Sequence, residues 1–293
     1  IGVSSNFVVQ QLKRLFNAQK VGHTGSLDPM ATGVLPIVFG EATKFSQYGL
    51  NSTKTYQTRV QLGKATDTLD ADGTVVEICP IPTLTYESVS RHISSLIGKQ
   101  QQMPPLVSAL KQNGQPWYKL VRQGVKIERK TRKITVYSCK LLNFDDIEGW
   151  IDLKICCSKG TYIRSLAETL GAKLKSCAHL TQLRRINAGG LDISETLTLE
   201  KIRNSVETQS RPRNFELKSI DCILTELPQI HLSKNECIAL IDGKKIPANG
   251  LQVCDTSRAY FDGHRFVGLV TVRSDGLVAP KRMVSKSAAG MRG

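Results

Sequence analysis

Apolar residues recur along this chain with two periods, and the switches between them lay out its elements. Ser4-Ser5-Asn6 can cap a helix carrying Val8, Leu12, Leu15 and Phe16 at helical spacing and ending near Asn17. A short apolar run from Val34 to Phe39 leads into Gly40-Glu41-Ala42-Thr43-Lys44, which reads as the opening of a second helix. Tyr56, Thr58, Val60 and Leu62 alternate with polar residues and predict a strand, which a polar loop (Thr66 to Gly73) separates from another at Val75 to Ile78. Val89, Ile93, Leu96 and Ile97 place a helix over about 86–97 with Gly98 as its stop, and Trp117, Leu120 and Val121 mark a short one ended by Gly124. Two alternating runs follow, Ile134 to Leu142 and Trp150 to Cys156, joined by a turn around Asp145 to Gly149. Ile163, Leu166, Leu170 and Leu174 then define a helix directly after Lys159-Gly160-Thr161-Tyr162. Hairpin-like links among mixed elements predict an α+β fold, a largely antiparallel mixed sheet flanked by helices.

Beyond the polar, proline-containing stretch from Glu207 to Arg213 the elements shorten. One helix near Lys234 to Ile241 and several strands fill the region from Leu227 to about Val284, punctuated by Gly243, Gly250, Gly263, Gly268 and Gly276. This predicts a small β-barrel-like module. A chain of 293 residues can hold two cores, and the expected division is 1–215, 227–286 and a mobile tail over 287–293.

The net charge of +15 calls for a polyanionic partner, nucleic acid first and an anionic membrane surface second. The charge is uneven: Lys111, Lys119, Arg122, Lys126, Arg129, Lys130, Arg132 and Lys133 face the single acid Glu128 within one stretch. The chain has no apolar run of the roughly eighteen residues a bilayer demands, and no secretory signal opens it. Its eight cysteines form no C-x-x-C pair, and Cys156 and Cys157, adjacent on a strand, point to opposite faces. Reduced, mostly buried thiols of a cytoplasmic protein are expected, with neither a disulfide framework nor a metal site. The chain opens at Ile1 rather than methionine, so a short preceding segment is expected.

Candidate chemistry concentrates in Gly22-His23-Thr24-Gly25-Ser26-Leu27-Asp28-Pro29-Met30-Ala31-Thr32-Gly33. Its glycines permit positive φ and close approach of another backbone or a ligand. Pro29 disfavours the helical region for Asp28, so one carboxylate is presented on a bent, rigid segment. An isolated Asp-Pro is usually a plain turn, but a carboxylate held this way also suits a nucleophile or an acid/base catalyst.

The full string resembles the G-H-T-G-x-L-D-P-x-A-T-G signature of the TruB family of tRNA pseudouridine synthases, and three further stretches resemble that family's motifs in the same order. These are Lys54-Thr55-Tyr56 (K-x-Y), Lys159-Gly160-Thr161-Tyr162-Ile163-Arg164 (K-G-T-Y-I-R) and Leu183-Arg184-Arg185 (L-R-R). The resemblance implies conversion of uridine 55 in the tRNA T arm to pseudouridine on a flipped-out base, with no cofactor and with tRNA as the partner of a monomer. It implies Asp28 as the catalytic carboxylate, nucleophile or base, and Arg164 as the cation paired with it. Tyr56 would stack on the uracil and relay the proton leaving C5, Leu183 would wall the pocket, and Tyr162 would brace it. His23 would wedge into the RNA loop, while Lys44, Lys159 and the Lys111 to Lys133 cluster would meet phosphates. The C-terminal module resembles a PUA-type RNA-binding barrel, which implies contact with the acceptor stem, and the Asp67 to Gly73 loop resembles the bacterial branch. Two departures stand out: the lysine-proline pair that precedes Gly2-Val3-Ser4-Ser5 in the family is absent, and Val107 occupies a position where tyrosine is usual.

A non-catalytic RNA-binding or RNA-folding protein would share the basic groove and the barrel. Nucleotide-dependent phosphoryl transfer is disfavoured because the glycine loop lacks G-x-x-x-x-G-K-[ST]. Zinc-dependent base deamination is disfavoured for want of H-x-E with P-C-x-x-C.

Overall fold

In the computed structural model, which describes residues 1–207 and 217–291, the alternating runs pair into one sheet. Its path runs from Leu191–Asp192 through Ala178–Ala188, Lys54–Leu62, Trp150–Cys157 and Arg132–Asp145 to Gly98–Gln102, every neighbour antiparallel. Thr32–Gly33 adds to Ala178–Ala188 in parallel, which brings the glycine-rich loop onto the sheet. Burial follows the period of two: Thr58, Val60 and Leu62 are buried on one face, with Ile151, Leu153 and Ile155 beside them. The helices Tyr86–Ser94 and Ile163–Lys173 cover that face with Val89, Ile93, Leu166 and Leu170, closing one core. The expected α+β class is what the chain adopts.

Ser4 caps the Ser5–Leu15 helix, its side chain accepting from the Phe7 amide. The helix expected over 86–97 ends at Ser94, because Ser95 to Ile97 turn into the edge strand at Gly98, where φ is +112°. Gly40–Phe45 opens with 3-10 geometry before the α-helix Ser46–Asn51. Lys54 is buried, and its Nζ donates to the carbonyls of Gly49, Leu50 and Ser52 at 2.7–2.9 Å, capping the negative end of that helix. Desolvation pulls its pKa down to about 8, with the Arg185 charge adding to the effect.

The C-terminal sheet has the order Gln229–Leu232, Cys254–Phe261, Arg265–Val272, Leu277–Met283, Ile246–Pro247, with only the first pair parallel. The helix Lys234–Ile241 seals it with Cys237 and Leu240. Val38 and Phe45, far upstream, also belong to this second core, so the two halves share a packed seam. Lys44 lies on that seam: its Nζ pairs with Glu41 at 2.8 Å and donates to the Met283 carbonyl at 3.2 Å, while Glu41 accepts the Ser285 amide. The tail expected to be mobile is docked where it is described. Ser285 to Met291 form turns, and Ala289 and Met291 are buried in the C-terminal core because their apolar side chains find room there. The polar stretch expected between the domains falls outside the described residues apart from Glu207, which ends a helix that begins at Leu199.

One expectation is overturned. Cys79 and Cys177 form a disulfide, with Cα atoms 5.7 Å apart, so the cysteines are not all reduced thiols. The pairing arises because Cys79 ends the return arm of the hairpin Lys64–Thr66/Val75–Ile78, while Cys177 precedes the strand on which that hairpin rests. The carboxylate of Glu77 lies beside the two sulfurs, all three donor atoms within 4.8 Å of one another. Alkylation of the denatured, unreduced chain is expected to label six cysteines, and alkylation after reduction all eight. Eight labelled residues without reductant would remove the bond.

Candidate active site

The glycine-rich loop is fixed from several sides. Its first arm, Val21–His23, pairs with Ile37–Phe39, and its last residues pair with Arg184 and Arg185. Between them the Ser5 hydroxyl accepts the Leu27 amide at 2.8 Å, the Gly2 amide donates to the Pro29 carbonyl, and the Ala31 amide closes a turn onto the Asp28 carbonyl at 2.9 Å. Gly33 has φ of +102°, and a Cβ there would collide with the Arg185 backbone. Gly33→Ala is therefore expected to lower the unfolding free energy by about 2–4 kcal/mol, read as a shift of the urea midpoint. A midpoint unchanged from wild type would show that the loop yields at this contact.

Asp28 emerges from this frame about one-third exposed. Its Oδ2 lies 2.9 Å from Nε of Arg164, whose side chain is 4 % exposed. The contact is an ion pair rather than an aligned hydrogen bond, since the Nε hydrogen has no acceptor along its direction. Arg164 occupies the first turn of the Ile163–Lys173 helix, and its other nitrogens are all engaged. Nη1 donates to the Thr68 carbonyl at 2.8 Å and lies 3.3 Å from Asp70 Oδ2, and Nη2 donates to the Val107 carbonyl at 3.0 Å. Val107 meets Arg164 through its backbone, so valine in place of tyrosine leaves this contact intact.

Asp70 is a site residue that sequence reasoning missed. It is buried, its Oδ1 accepts from the Thr68 hydroxyl at 2.5 Å and the Asp72 amide at 3.1 Å, and it shares Arg164 with Asp28. Burial raises its pKa, with the Asp28 charge adding to this, while Thr68, Arg164 and the Asp72 amide oppose. The only available signal was three acids in Thr66 to Gly73, which equally describes a solvated turn.

Tyr56 is half-buried in the central sheet, directly across from Arg185 and packed on the core that also holds Leu27, Met30, Ala31 and Leu183. Desolvation raises its pKa against the opposing charge of Arg185, so the phenol keeps its proton at neutral pH. Leu183 is buried at 7 % exposure. His23 is half-buried and its Nδ1 accepts the Gly25 amide at 3.2 Å; burial, then the Arg185 charge, lowers its pKa and favours the neutral ring. The Tyr162 backbone is held reciprocally by the buried Gln102 side chain at 2.8 and 2.9 Å, and its ring lies 5.7 Å from the Arg132 guanidinium.

Asp28 and Arg164 thus meet directly, Tyr56 and Leu183 lie on the adjacent strands Lys54–Leu62 and Ala178–Ala188, and Tyr162 precedes the helix that carries Arg164. Lys44 does not join them, being committed to the seam described above. Lys159 is exposed and donates to Asn51 Oδ1 at 2.9 Å. The cluster from Lys111 to Lys133 is solvated throughout, with Arg132 alone half-buried. A largely apolar cavity of about 970 Å³ borders the loop, with Asp28, Ala31, Thr32 and Arg184 on its wall, but Tyr56, Arg164 and Leu183 do not line it.

A paired carboxylate beside a half-buried tyrosine and an apolar wall suits chemistry at a sugar carbon with the base held alongside. The profile of the TruB family pseudouridylate synthase N-terminal domain matches residues 13–163, and that of the pseudouridine synthase II TruB C-terminal domain matches residues 228–284. The tRNA pseudouridine synthase B of Chromohalobacter salexigens is 43 % identical over 289 residues, covering 98 % of this chain and 92 % of that protein. The protein of the same name from Saccharophagus degradans is 42 % identical over 292 residues, covering 98 % and 93 %. Among solved structures, a chain of a Cbf5-Nop10-Gar1 complex superposes with a TM-score of 0.74 at 21 % identity, covering 98 % of this chain and 84 % of that one. The fold is that of the pseudouridylate synthase class. Within that class, the chain belongs to the TruB family.

Proposed function

We propose that this chain isomerises a uridine of tRNA to pseudouridine, acting at position 55 of the T arm as a cofactor-independent monomer in the cytoplasm. The single observation that carries the reading is the ion pair of Asp28 with Arg164, 2.9 Å across, at the edge of a loop clamped to the sheet. The two members sit in separate sequence motifs, and a protein that only binds RNA has no use for a carboxylate held in this way.

The chemistry follows from the substrate. Breaking the N1–C1′ bond and joining C5 to C1′ leaves the atom count and oxidation level unchanged, so an anionic group near the sugar and a pocket that retains the freed base suffice. Asp28 supplies the anion, either attacking C1′ or removing a proton from the 2′ carbon. Arg164 orients it and shields it from the second charge at Asp70. Tyr56 stacks on the uracil, which is worth about 1–3 kcal/mol, and its hydroxyl takes part in moving the C5 proton. Leu183 keeps water from the base, and Tyr162 braces the wall. His23, neutral and near the protein surface, fills the gap left when the uridine turns out, at a cost of a few kcal/mol that is least in a loop. Lys159 and the Lys111 to Lys133 stretch meet phosphates, and the C-terminal module meets the acceptor stem, setting register rather than sequence.

The test is release of tritium from 5-tritiated uridine in a T-arm hairpin, with the product located by carbodiimide-dependent stops of reverse transcriptase. One stop at the position equivalent to 55, appearing with the tritium, is the expected result. Tight binding without release would make the chain an RNA-binding protein only.

A further inference from the structure

Arg185 is 1 % exposed, the bulkiest of the fully buried side chains, and among the described residues no carboxylate pairs with it. Its fork closes instead on backbone oxygens: Nε on Val34 at 2.7 Å, Nη1 on Ser26 at 3.2 Å and Nη2 on Gly25 at 3.0 Å. Those carbonyls lie on both sides of Asp28 along the loop. The Arg185 carbonyl accepts the Val34 amide at 2.8 Å, so backbone and side chain grip the same segment. Across the sheet, the guanidinium stands beside the Tyr56 hydroxyl. A buried cation without a counter-charge is costly, and an apolar side chain would fill the same space at lower cost. Packing alone therefore does not account for it.

We infer that Arg185 is the positioning residue of this site, fixing the Asp28 loop through three carbonyls and orienting the Tyr56 hydroxyl. A guanidinium only donates, so beside Arg185 the phenol can act toward it only as an acceptor, and its own hydrogen stays available for a substrate. Three donors in a rigid plane hold the two arms of the loop at a fixed separation, which the single ammonium of a lysine cannot do. The inference rests on the roles given above to Asp28 and Tyr56.

The experiment compares wild type with Arg185→Lys and Arg185→Met by single-turnover tritium release, hairpin affinity, thermal midpoint and amide hydrogen exchange over residues 24–34. A catalytic group displaced by about 1 Å loses about 100-fold in rate, so Arg185→Lys is expected to slow the chemical step by about that factor. Affinity should move less than threefold, and exchange of the loop amides should quicken at least tenfold while the C-terminal sheet is unchanged. Arg185→Met should show the same pattern more strongly, and Arg185→Lys should recover part of the Arg185→Met loss. Rates equal to wild type in folded Arg185→Lys would overturn the inference. So would parallel losses of rate and affinity, or failure of both variants to fold, which would make Arg185 a requirement of the fold. If wild type itself releases no tritium, the proposed reaction fails, and the exchange of the loop amides still decides whether Arg185 sets the loop.

Discussion

Replacing Asp28 by asparagine is expected to slow tritium release at least about 10⁴-fold, the scale on which loss of an essential nucleophile registers, while hairpin affinity stays within about threefold. The amide nearly matches the carboxylate in shape, so the turn closed by the Ala31 amide on the Asp28 carbonyl is untouched. Arg164 also keeps Asp70, the Thr68 carbonyl and the Val107 carbonyl, so no buried cation is orphaned and the fold should persist. What disappears is the negative charge proposed to act at the sugar. In the proposed reaction isomerisation depends on that charge whichever way Asp28 uses it, so both mechanistic alternatives predict the same silence. Release by the asparagine variant within tenfold of wild type would move the catalytic role elsewhere, and Asp70, on the same guanidinium, would be the first candidate.

Much of this arrangement was legible in the sequence, for identifiable reasons. The strand Lys54–Leu62 announced itself because one face is buried and the other wet, and the glycine-rich loop because Gly33 tolerates no side chain against Arg185. Asp28 and Arg164 were visible through the motifs around them. Their joint partner Asp70 was not, because a buried acid in a polar turn looks like any solvated acid until the Lys64 to Ile78 hairpin folds back onto the Ala178–Ala188 strand. Lys44 and Lys54 show the converse. Lys44 reads as a phosphate-binding cation and Lys54 as one position of a K-x-Y motif, yet Lys54 caps a helix from within, and Lys44, directly before the buried Phe45, joins the two cores. The Cys79–Cys177 bond was hidden for a similar reason: the residues are 98 positions apart, and only strand pairing brings them together.

On the proposed mechanism Arg164 is where stability and catalysis meet, and a double-mutant cycle separates them. Arg164→Met removes the partner of two carboxylates. Asp70, 7 % exposed at its side chain, is left as an uncompensated buried charge, which costs about 3–5 kcal/mol. Asp28, about one-third exposed, is partly screened by solvent and contributes little of that loss. Removing a positioned donor from a charge-developing site costs about 10²–10³ in rate, so the folded fraction of Arg164→Met should isomerise at least that much more slowly. Adding Asp70→Asn to Arg164→Met deletes the stranded charge while Asp28 still lacks its cation. Most of the lost stability in urea should return, and the single-turnover rate should stay low, a coupling that simple additivity does not produce. Should the double variant regain rate along with stability, Arg164 would serve the reaction only by keeping Asp70 neutralised, and the pairing with Asp28 would be a consequence of the fold.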